Sequence, residues 1–234
     1  MPHHSGHTGT TKQIRRTEHH FIHCFRVHAA SVPLLISMFR KFYERRLAES
    51  LMDIPQNVCF MVSEEEVGSA PGKISDVARW SRDLNIATLI IHIQTISSPD
   101  IRTILPEVRS LGSFARVKIH SGGESEVFGS GEMVIHIAVG MSGKEEIAAA
   151  IRSMARDGVS PEMVDEELFR SYLTIGTEPD LVIKTGGDQL TDFLIWQSVY
   201  SELFFTDVNW DTFRKVDFLR ALRDYQIRAR RFGR

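Results

Sequence analysis

The sequence predicts an α/β fold in which helices cover both faces of a mostly parallel central sheet, with a helical extension at the N-terminus. Short apolar runs rich in β-branched residues alternate with amphipathic stretches of helical periodicity, and no linker or internal repeat interrupts the alternation. The length of 234 residues also allows one domain with a sizeable core.

The predicted elements alternate along the chain after a polar leader. Residues 1–30 form that leader, which is expected to be partly disordered, and residues 31–234 form a single domain. The domain begins with a helix from Ser31, its N-cap, to Met52. Five strands are predicted at Val58–Val62, Ala87–Ile93, Val117–Ile119, Met133–Val139 and Leu181–Ile183. Six helices are predicted at Ser75–Leu84, Ile101–Leu111, Lys144–Arg156, Pro161–Leu173, Thr191–Leu203 and Val216–Arg228.

The composition is typical of a soluble globular protein, with 42% hydrophobic and 25% charged residues. A formal net charge of −2 gives no reason to expect nucleic-acid binding. The longest apolar run, Val32 to Phe39, has eight residues, and a transmembrane helix needs roughly 18. No signal peptide is recognised, and Cys24 and Cys59 stand in unlike contexts that do not indicate a structural disulfide. These features predict a cytoplasmic protein.

Seven of the ten histidines lie in the first 28 residues, and they have two interpretations. The cluster is either a metal site or part of the polar leader, and its members are His19, His20, His23 and Cys24. No second Cys/His pair stands at zinc-ligand spacing, which favours the leader.

The first predicted helix has a basic face that also has two interpretations. Its cations are either solvated or in peripheral contact with anionic lipid headgroups at the cytoplasmic membrane face. They are Arg40, Lys41, Arg45 and Arg46.

Ligands of open parallel sheets bind beyond the carboxyl ends of the strands, and three predicted strand ends carry polar residues. These ends are Ser63–Glu66, Gln94–Ser97 and Lys184–Asp188. Only the third resembles a phosphate site, because a lysine stands beside Gly186 and Gly187, whose bare amides can approach an anion. An ordinary strand-to-helix turn explains that pattern equally well.

Seven of the 21 aromatic residues fall between Phe193 and Phe213. Phe193, Trp196, Tyr200 and Leu203 form one stripe at helical spacing, while Ile195 and Val199 point elsewhere. A helix that is apolar on more than one face is buried in the core or in an interface. The large apolar residues that follow, Phe204 and Phe205, favour an interface.

Three stretches resemble the cis-prenyltransferases, the family of the undecaprenyl and dehydrodolichyl diphosphate synthases. DLVIKTGGDQLTDFLIWQSVYSELFFTDVNW and ALRDYQIRARRFG resemble the C-terminal signature, and MVIHIAVGMSGKEEIAAAIRSMA resembles the family's strand, glycine turn and helix. The resemblance runs from about Phe39 to Arg234. It implies the condensation of isopentenyl diphosphate with an allylic diphosphate, using Mg²⁺, into a polyprenyl diphosphate for glycosyl-carrier lipid.

The sequence departs from the family at the sites for the diphosphates. The family ends its first strand in an Asp-Gly-Asn-Gly-Arg loop whose aspartate works with Mg²⁺, and here Ser63 is followed by Glu64–Glu66. Three carboxylates cannot cradle a diphosphate, since like charges repel, so this stretch is expected to be an exposed acidic turn. At the second strand end, Gln94 to Pro99 lack most of the polar side chains that the family has at the matching positions. In the isopentenyl diphosphate site, Lys184 replaces the first arginine, the second is missing and Thr191 stands for the serine.

Two features of the family are retained. The aromatic segment with Trp196, Tyr200 and Glu202 resembles the dimer-forming segment, and in that segment Glu202 is a candidate metal ligand. The tail from Arg231 to Gly233 matches the family's terminal Arg-x-Gly. This combination resembles the non-catalytic subunits of two-component cis-prenyltransferases, of the Nogo-B receptor type. The stretch VSEEEVGSAPGKISDVARWSRDLNIATLIIHI resembles the matching part of that subunit.

The resemblance implies three hypotheses about function. In the preferred one, the chain is an accessory subunit that forms a heterodimer or heterotetramer with a catalytic cis-prenyltransferase. It supplies Arg231 and Gly233 in trans, and Mg²⁺ is bound mainly by the partner. The alternative is a self-sufficient homodimeric cis-prenyltransferase with an atypical diphosphate loop, and a third is a scaffold without a catalytic partner.

Overall fold

The computed structural model describes residues 38–95, 101–187 and 194–231. The chain divides into two compact units, Met1–Ala48 and Glu49–Arg234. Residues 38–49 are helical and form helix α1, which confirms part of the helix predicted from Ser31 to Met52. The polar leader at 1–30, its histidine cluster and the predicted boundary after residue 30 lie outside the described residues.

Seven strands of the second unit form one sheet in the order β4-β3-β5-β2-β1-β6-β7. Five of them confirm predicted strands: β1 (Asn57–Ser63), β2 (Thr88–Gln94), β3 (Arg116–Ser121), β5 (Val134–Val139) and β6 (Leu181–Lys184). The other two are β4 (Glu124–Phe128) and β7 (Glu202–Phe205). Every neighbouring pair is parallel except β3 and β4, so the predicted mostly parallel sheet is confirmed.

Five of the described helices after α1 lie in the connections between the strands, and the last helix follows β7. These helices are α2 (Glu64–Ser69), α3 (Gly72–Asp83), α4 (Leu105–Leu111), α5 (Gly143–Arg156), α6 (Glu166–Ser171) and α7 (Lys215–Arg231). Short 3₁₀ turns lie at Ile101–Thr103, Pro161–Met163 and Trp210–Thr212. Among the described residues, no helix has both the length and the apolar character needed to cross a membrane.

Both faces of the sheet are covered, which explains why the strands read as continuous apolar runs. On one face, the ring of Phe60 packs against the rings of Trp210, Phe213 and Phe218 at centroid distances of 5.8, 5.6 and 5.6 Å. On the other face, Ile175 and Leu194 join a buried cluster with strand residues Cys59, Met61, Ile90, Ala138 and Val182. Cys59 is a free thiol whose pKa is raised by burial.

The predicted helix Thr191–Leu203 is wrong over its described part. Residues 195–200 form a turn, in which the Ser198 amide bonds to the Leu194 carbonyl at 3.0 Å, and β7 begins at Glu202. The Glu202 amide donates to the Asp180 carbonyl at 2.9 Å, which starts the pairing of β7 with β6. The backbone groups along β6 therefore gain strand partners that a helix would not supply.

Two smaller differences have local causes. Strand β4 is charged and mostly exposed, so it carries little apolar signal, and it follows β3 through Gly122 and Gly123 at φ +60° and +82°. The single helix predicted at Pro161–Leu173 is divided into a 3₁₀ turn and α6. Asp165 is the N-cap of α6, and its carboxylate accepts a hydrogen bond of 2.8 Å from the Leu168 amide. A new helix therefore begins after Asp165.

Candidate functional site

The carboxyl ends of β1 and β6 lie side by side at the point where the chain changes direction across the sheet. The connection after β1, through α2 and α3, leads to β2 on one side of β1. The connection after β5, through α5 and α6, leads to β6 on the other side of β1. Ligands of open α/β sheets bind at such a switch point, so the candidate site consists of the residues directly after β1 and β6.

The acidic stretch after β1 is a helix start and not the exposed turn that was expected. Ser63 is the N-cap of α2, and its hydroxyl accepts a hydrogen bond of 3.2 Å from the Glu66 amide. In return, the Glu66 carboxylate accepts bonds of 2.8 Å from the Ser63 amide and 2.9 Å from the Ser63 hydroxyl. The signal was present in the sequence, because Ser-x-x-Glu is the signature of this capping box.

The residues that end β6 are buried. Lys184 is 9% exposed, and its Nζ donates a hydrogen bond of 2.6 Å to the Thr185 carbonyl. Thr185 is fully buried, and its hydroxyl donates to Glu66 Oε1 at 3.4 Å. Glu66 and Thr185 are 119 residues apart in the chain, and the parallel pairing of β1 with β6 brings them together.

The glycine turn after Thr185 does not direct its amides at a ligand. The Gly186 amide donates to the Val208 carbonyl at 3.3 Å, and the Gly187 amide donates to the Thr206 carbonyl at 3.4 Å. The expectation that these amides approach an anion is therefore wrong in this structure. Gly186 suits this position because its φ is +67°, and a Cβ there would lie 2.7 Å from Glu66 Oε1.

The second strand end lies beside the first, because Gln94 of β2 is in register with Ser63 of β1. Residues 96–100, which include most of the stretch matched to the family's second motif, lie outside the described residues. The same holds for Asp188, Thr191 and Phe193.

The described residues of the site form no cluster of metal ligands. Within them, no group of three or more His, Cys, Asp or Glu side chains is placed to hold a metal. Both oxygens of Glu66 already accept hydrogen bonds. Glu202 lies at the opposite, amino-terminal edge of the sheet, where it forms an ion pair of 3.5 Å with Arg228.

The predicted interface residues do not share one face. The Trp196 ring is half-buried and packs against Phe169 at a centroid distance of 4.5 Å, whereas Tyr200 is 87% exposed. Phe204 is half-buried and Phe205 is exposed. The turn at 195–200 and the end of β7 therefore present exposed apolar side chains, and their role as an interface stays a prediction.

The predicted tail begins where the described chain ends. Arg231 is the last residue of α7, and residues 232–234 lie outside the described residues. The role of Arg231 and Gly233 in binding substrate stays a prediction.

Residues 107–233 match a family model described as "Putative undecaprenyl diphosphate synthase". The chain is 34% identical over 201 residues to a tritrans,polycis-undecaprenyl-diphosphate synthase (geranylgeranyl-diphosphate specific) of Thermococcus kodakarensis, covering 69% of this chain and 75% of the relative. It is 33% identical over 196 residues to a short-chain Z-isoprenyl diphosphate synthase of Mycobacterium leprae, covering 77% of this chain and 71% of the relative. The fold is similar to that of lavandulyl diphosphate synthase from Lavandula x intermedia, crystallised with dimethylallyl diphosphate, with a TM-score of 0.60 and 19% identity over 74% of this chain and 95% of that one.

Proposed function

Because this chain belongs to the cis-prenyltransferase family, we propose that it functions in cis-prenyl transfer, the condensation of isopentenyl diphosphate with an allylic diphosphate. The observation that carries the proposal is the match over residues 107–233, which includes β6 and the turn from Lys184 to Gly187 at the switch point. The substrates of the proposed reaction are isoprenoid diphosphates, and the product is a polyprenyl diphosphate.

The names of the relatives support a self-sufficient homodimeric synthase with an atypical diphosphate loop better than they support an accessory subunit. Both are named as synthases, and one is named as specific for geranylgeranyl diphosphate. On this first candidate, the chain would extend an allylic diphosphate by itself, with a long or a short product. Mg²⁺ would then be held by fewer than three acidic, histidine or cysteine side chains of the described residues together with the diphosphates.

The geometry after β1 and β6 supports a second candidate, the accessory subunit of a heteromeric cis-prenyltransferase. A diphosphate needs hydrogen-bond donors and cations, and here Lys184 and the amides of Gly186 and Gly187 already donate to backbone carbonyls. The Glu66 carboxylate stands beside the same turn. On this candidate, a catalytic partner holds Mg²⁺ and the allylic diphosphate, and this chain adds Arg231 and Gly233 to the partner's site. The product would serve as a glycosyl-carrier lipid such as dolichol.

Assays of the purified chain separate the two candidates. The chain is incubated with labelled isopentenyl diphosphate, geranylgeranyl diphosphate and Mg²⁺, alone and with a family member from the same organism that has an intact Asp-Gly-Asn-Gly-Arg loop. On the geometry, we expect no elongation by the chain alone and more elongation by the mixture than by the second protein alone. Turnover by the single chain at the rates of ordinary family members would establish a self-sufficient synthase. If neither the single chain nor the mixture shows a contribution from this chain, the proposed function is wrong.

The proposed location is the cytoplasm, with peripheral contact at the membrane face through α1. The rings of Phe39 and Phe42 on α1 are 70% and 63% exposed, and Arg40 and Lys41 lie on the same helix. Exposed aromatic rings beside basic residues are typical of helices that lie on anionic lipid surfaces.

A further inference from the structure

The carboxylate of Glu66 is held at the turn that follows β6. Its Oε2 accepts hydrogen bonds of 2.8 and 2.9 Å from the amide and hydroxyl of Ser63, and its Oε1 accepts a bond of 3.4 Å from the Thr185 hydroxyl. Oε1 also lies 2.7 Å from the point where a Cβ of residue 186 would stand. The side chain is therefore fixed from the β1 end and reaches over Thr185 and Gly186.

Within the described part of the chain, the carboxylate of Glu66 has no counter-ion. The donors from Ser63 and Thr185 are uncharged, while the nearby ammonium group of Lys184 donates to the Thr185 carbonyl. A negative charge at this place repels a second anion, and the repulsion is strong because Thr185 and Lys184 are buried.

We propose that Glu66 is a specificity-determining residue that excludes diphosphate groups from the turn of Thr185 and Gly186. The inference rests on the proposed function, because its substrates are diphosphates and the turn lies at the switch point where ligands of open α/β sheets bind. It goes beyond the proposed function in assigning the exclusion to one side chain. Removing the charge of Glu66 removes this repulsion and the carboxylate acceptor of the Thr185 hydroxyl, so that this hydroxyl can donate to a diphosphate instead.

The test compares two variants that remove one negative charge each. Glu66→Gln keeps the capping box, since Gln also serves at this position of the box, so we expect α2 to remain folded. Glu65→Gln is the matched control, because Glu65 is the adjacent residue and is exposed. Calorimetric titration with inorganic pyrophosphate, without metal, should give an affinity about tenfold higher or more for Glu66→Gln than for the unmodified chain. Glu65→Gln should change it by about twofold or less, because exposed charges are screened.

A second variant locates the bound anion. Adding Thr185→Val to Glu66→Gln removes the buried hydroxyl with little change of shape, and it should abolish the gain in affinity. The proposal is wrong if Glu66→Gln does not bind pyrophosphate more tightly, if Glu65→Gln gains as much, or if the gain survives Thr185→Val. Because the titration requires no turnover, failure of prenyl transfer in the elongation assay would leave this result unaffected.

Discussion

The side-chain amide of Gln197 donates a hydrogen bond of 3.1 Å to the carboxylate of Glu146, and both side chains are buried. The other oxygen of Glu146 accepts a hydrogen bond of 3.2 Å from the backbone amide of Ile175. The side-chain amide of Gln197 also donates to the Ile175 carbonyl at 2.8 Å. This closed set of bonds ties the turn at 195–200 to the first turn of α5, where the helix dipole favours an acidic side chain. Sequence reasoning missed it, since neither residue stands out by spacing.

Replacing Glu146 should therefore destabilise the protein. In Glu146→Ala, the buried Ile175 amide loses its carboxylate acceptor, and Gln197 keeps only its bond to the Ile175 carbonyl. We expect the free energy of unfolding to fall by about 2–3 kcal/mol, measured by urea denaturation. Glu145→Ala is the control, because Glu145 is exposed on the same helix turn and should cost about 0.5 kcal/mol or less. A loss for Glu146→Ala no larger than that of the control would show that the buried bonds contribute little.

The exposed apolar side chains of the 195–200 turn provide a test of the predicted interface. Val199 is 65% exposed, so Val199→Glu should leave the fold intact but bury a charge in any complex formed through this surface. We expect association with the partner or with a second copy to weaken by about 2 kcal/mol or more, roughly thirtyfold in Kd. Sedimentation velocity measures it. Trp196 is unsuitable for this test, because its ring packs against Phe169.

Val127→Glu is the matched control for the interface. Val127 is 58% exposed and lies on β4, at the opposite edge of the sheet from β7. It should leave association unchanged. Equal association of the unmodified chain and Val199→Glu would place the interface elsewhere.

Two buried histidines predict a pH-dependent stability. His120 Nε2 lies 3.1 Å from His136 Nδ1, and His120 Nδ1 lies 2.8 Å from the Ser125 hydroxyl. Burial, then the neighbouring His120 and Lys118, lowers the pKa of His136 to about 3. Burial, then Lys118, also lowers the pKa of His120. Both imidazoles are therefore neutral in the folded protein at neutral pH.

The sign of the effect follows from these lowered pKa values. Between about pH 3 and 6.5 the unfolded chain binds more protons than the folded chain. The free energy of unfolding is therefore highest above about pH 6.5 and decreases as the pH falls. For His136 alone, the loss between pH 7 and 5 amounts to up to about 2 kcal/mol in the free energy of unfolding. In urea denaturation between pH 7 and 5, the free energy of unfolding should fall less for His136→Gln than for the unmodified chain, by up to about 2 kcal/mol. Parallel pH profiles of the variant and the unmodified chain would contradict the prediction.

The tail prediction concerns Arg231. If its guanidinium contacts a diphosphate in the assembled enzyme, Arg231→Ala should leave assembly intact and lower kcat/KM about ten- to a hundredfold. Arg230→Ala is the control, since it removes the same charge one residue earlier. Loss of assembly together with activity would make the tail structural, and equal effects of the two substitutions would indicate only general basic charge.

The sequence by itself determined the order of most elements. Apolar runs that pack on both faces, such as β1 and β2, are continuous in the sequence, and their length and flanking turns identify them as strands. The Ser-x-x-Glu pattern at Ser63 and Glu66 also indicates the start of α2, because all the groups of a capping box lie within four consecutive residues. Local signals of this kind depend only on neighbours in the chain.

The tertiary structure decided the features that depend on distant partners. The apolar residues Leu203, Phe204 and Phe205 suit either a helix or a strand, and pairing with β6 makes them part of a strand. The amides of Gly186 and Gly187 could face a ligand or a carbonyl, and the chain after β7 supplies the carbonyls. Glu66 reaches Thr185 only because β1 and β6 pair in parallel. Hydrogen-bonding groups take whichever partner the folded chain brings near, and periodicity along the sequence does not specify that partner.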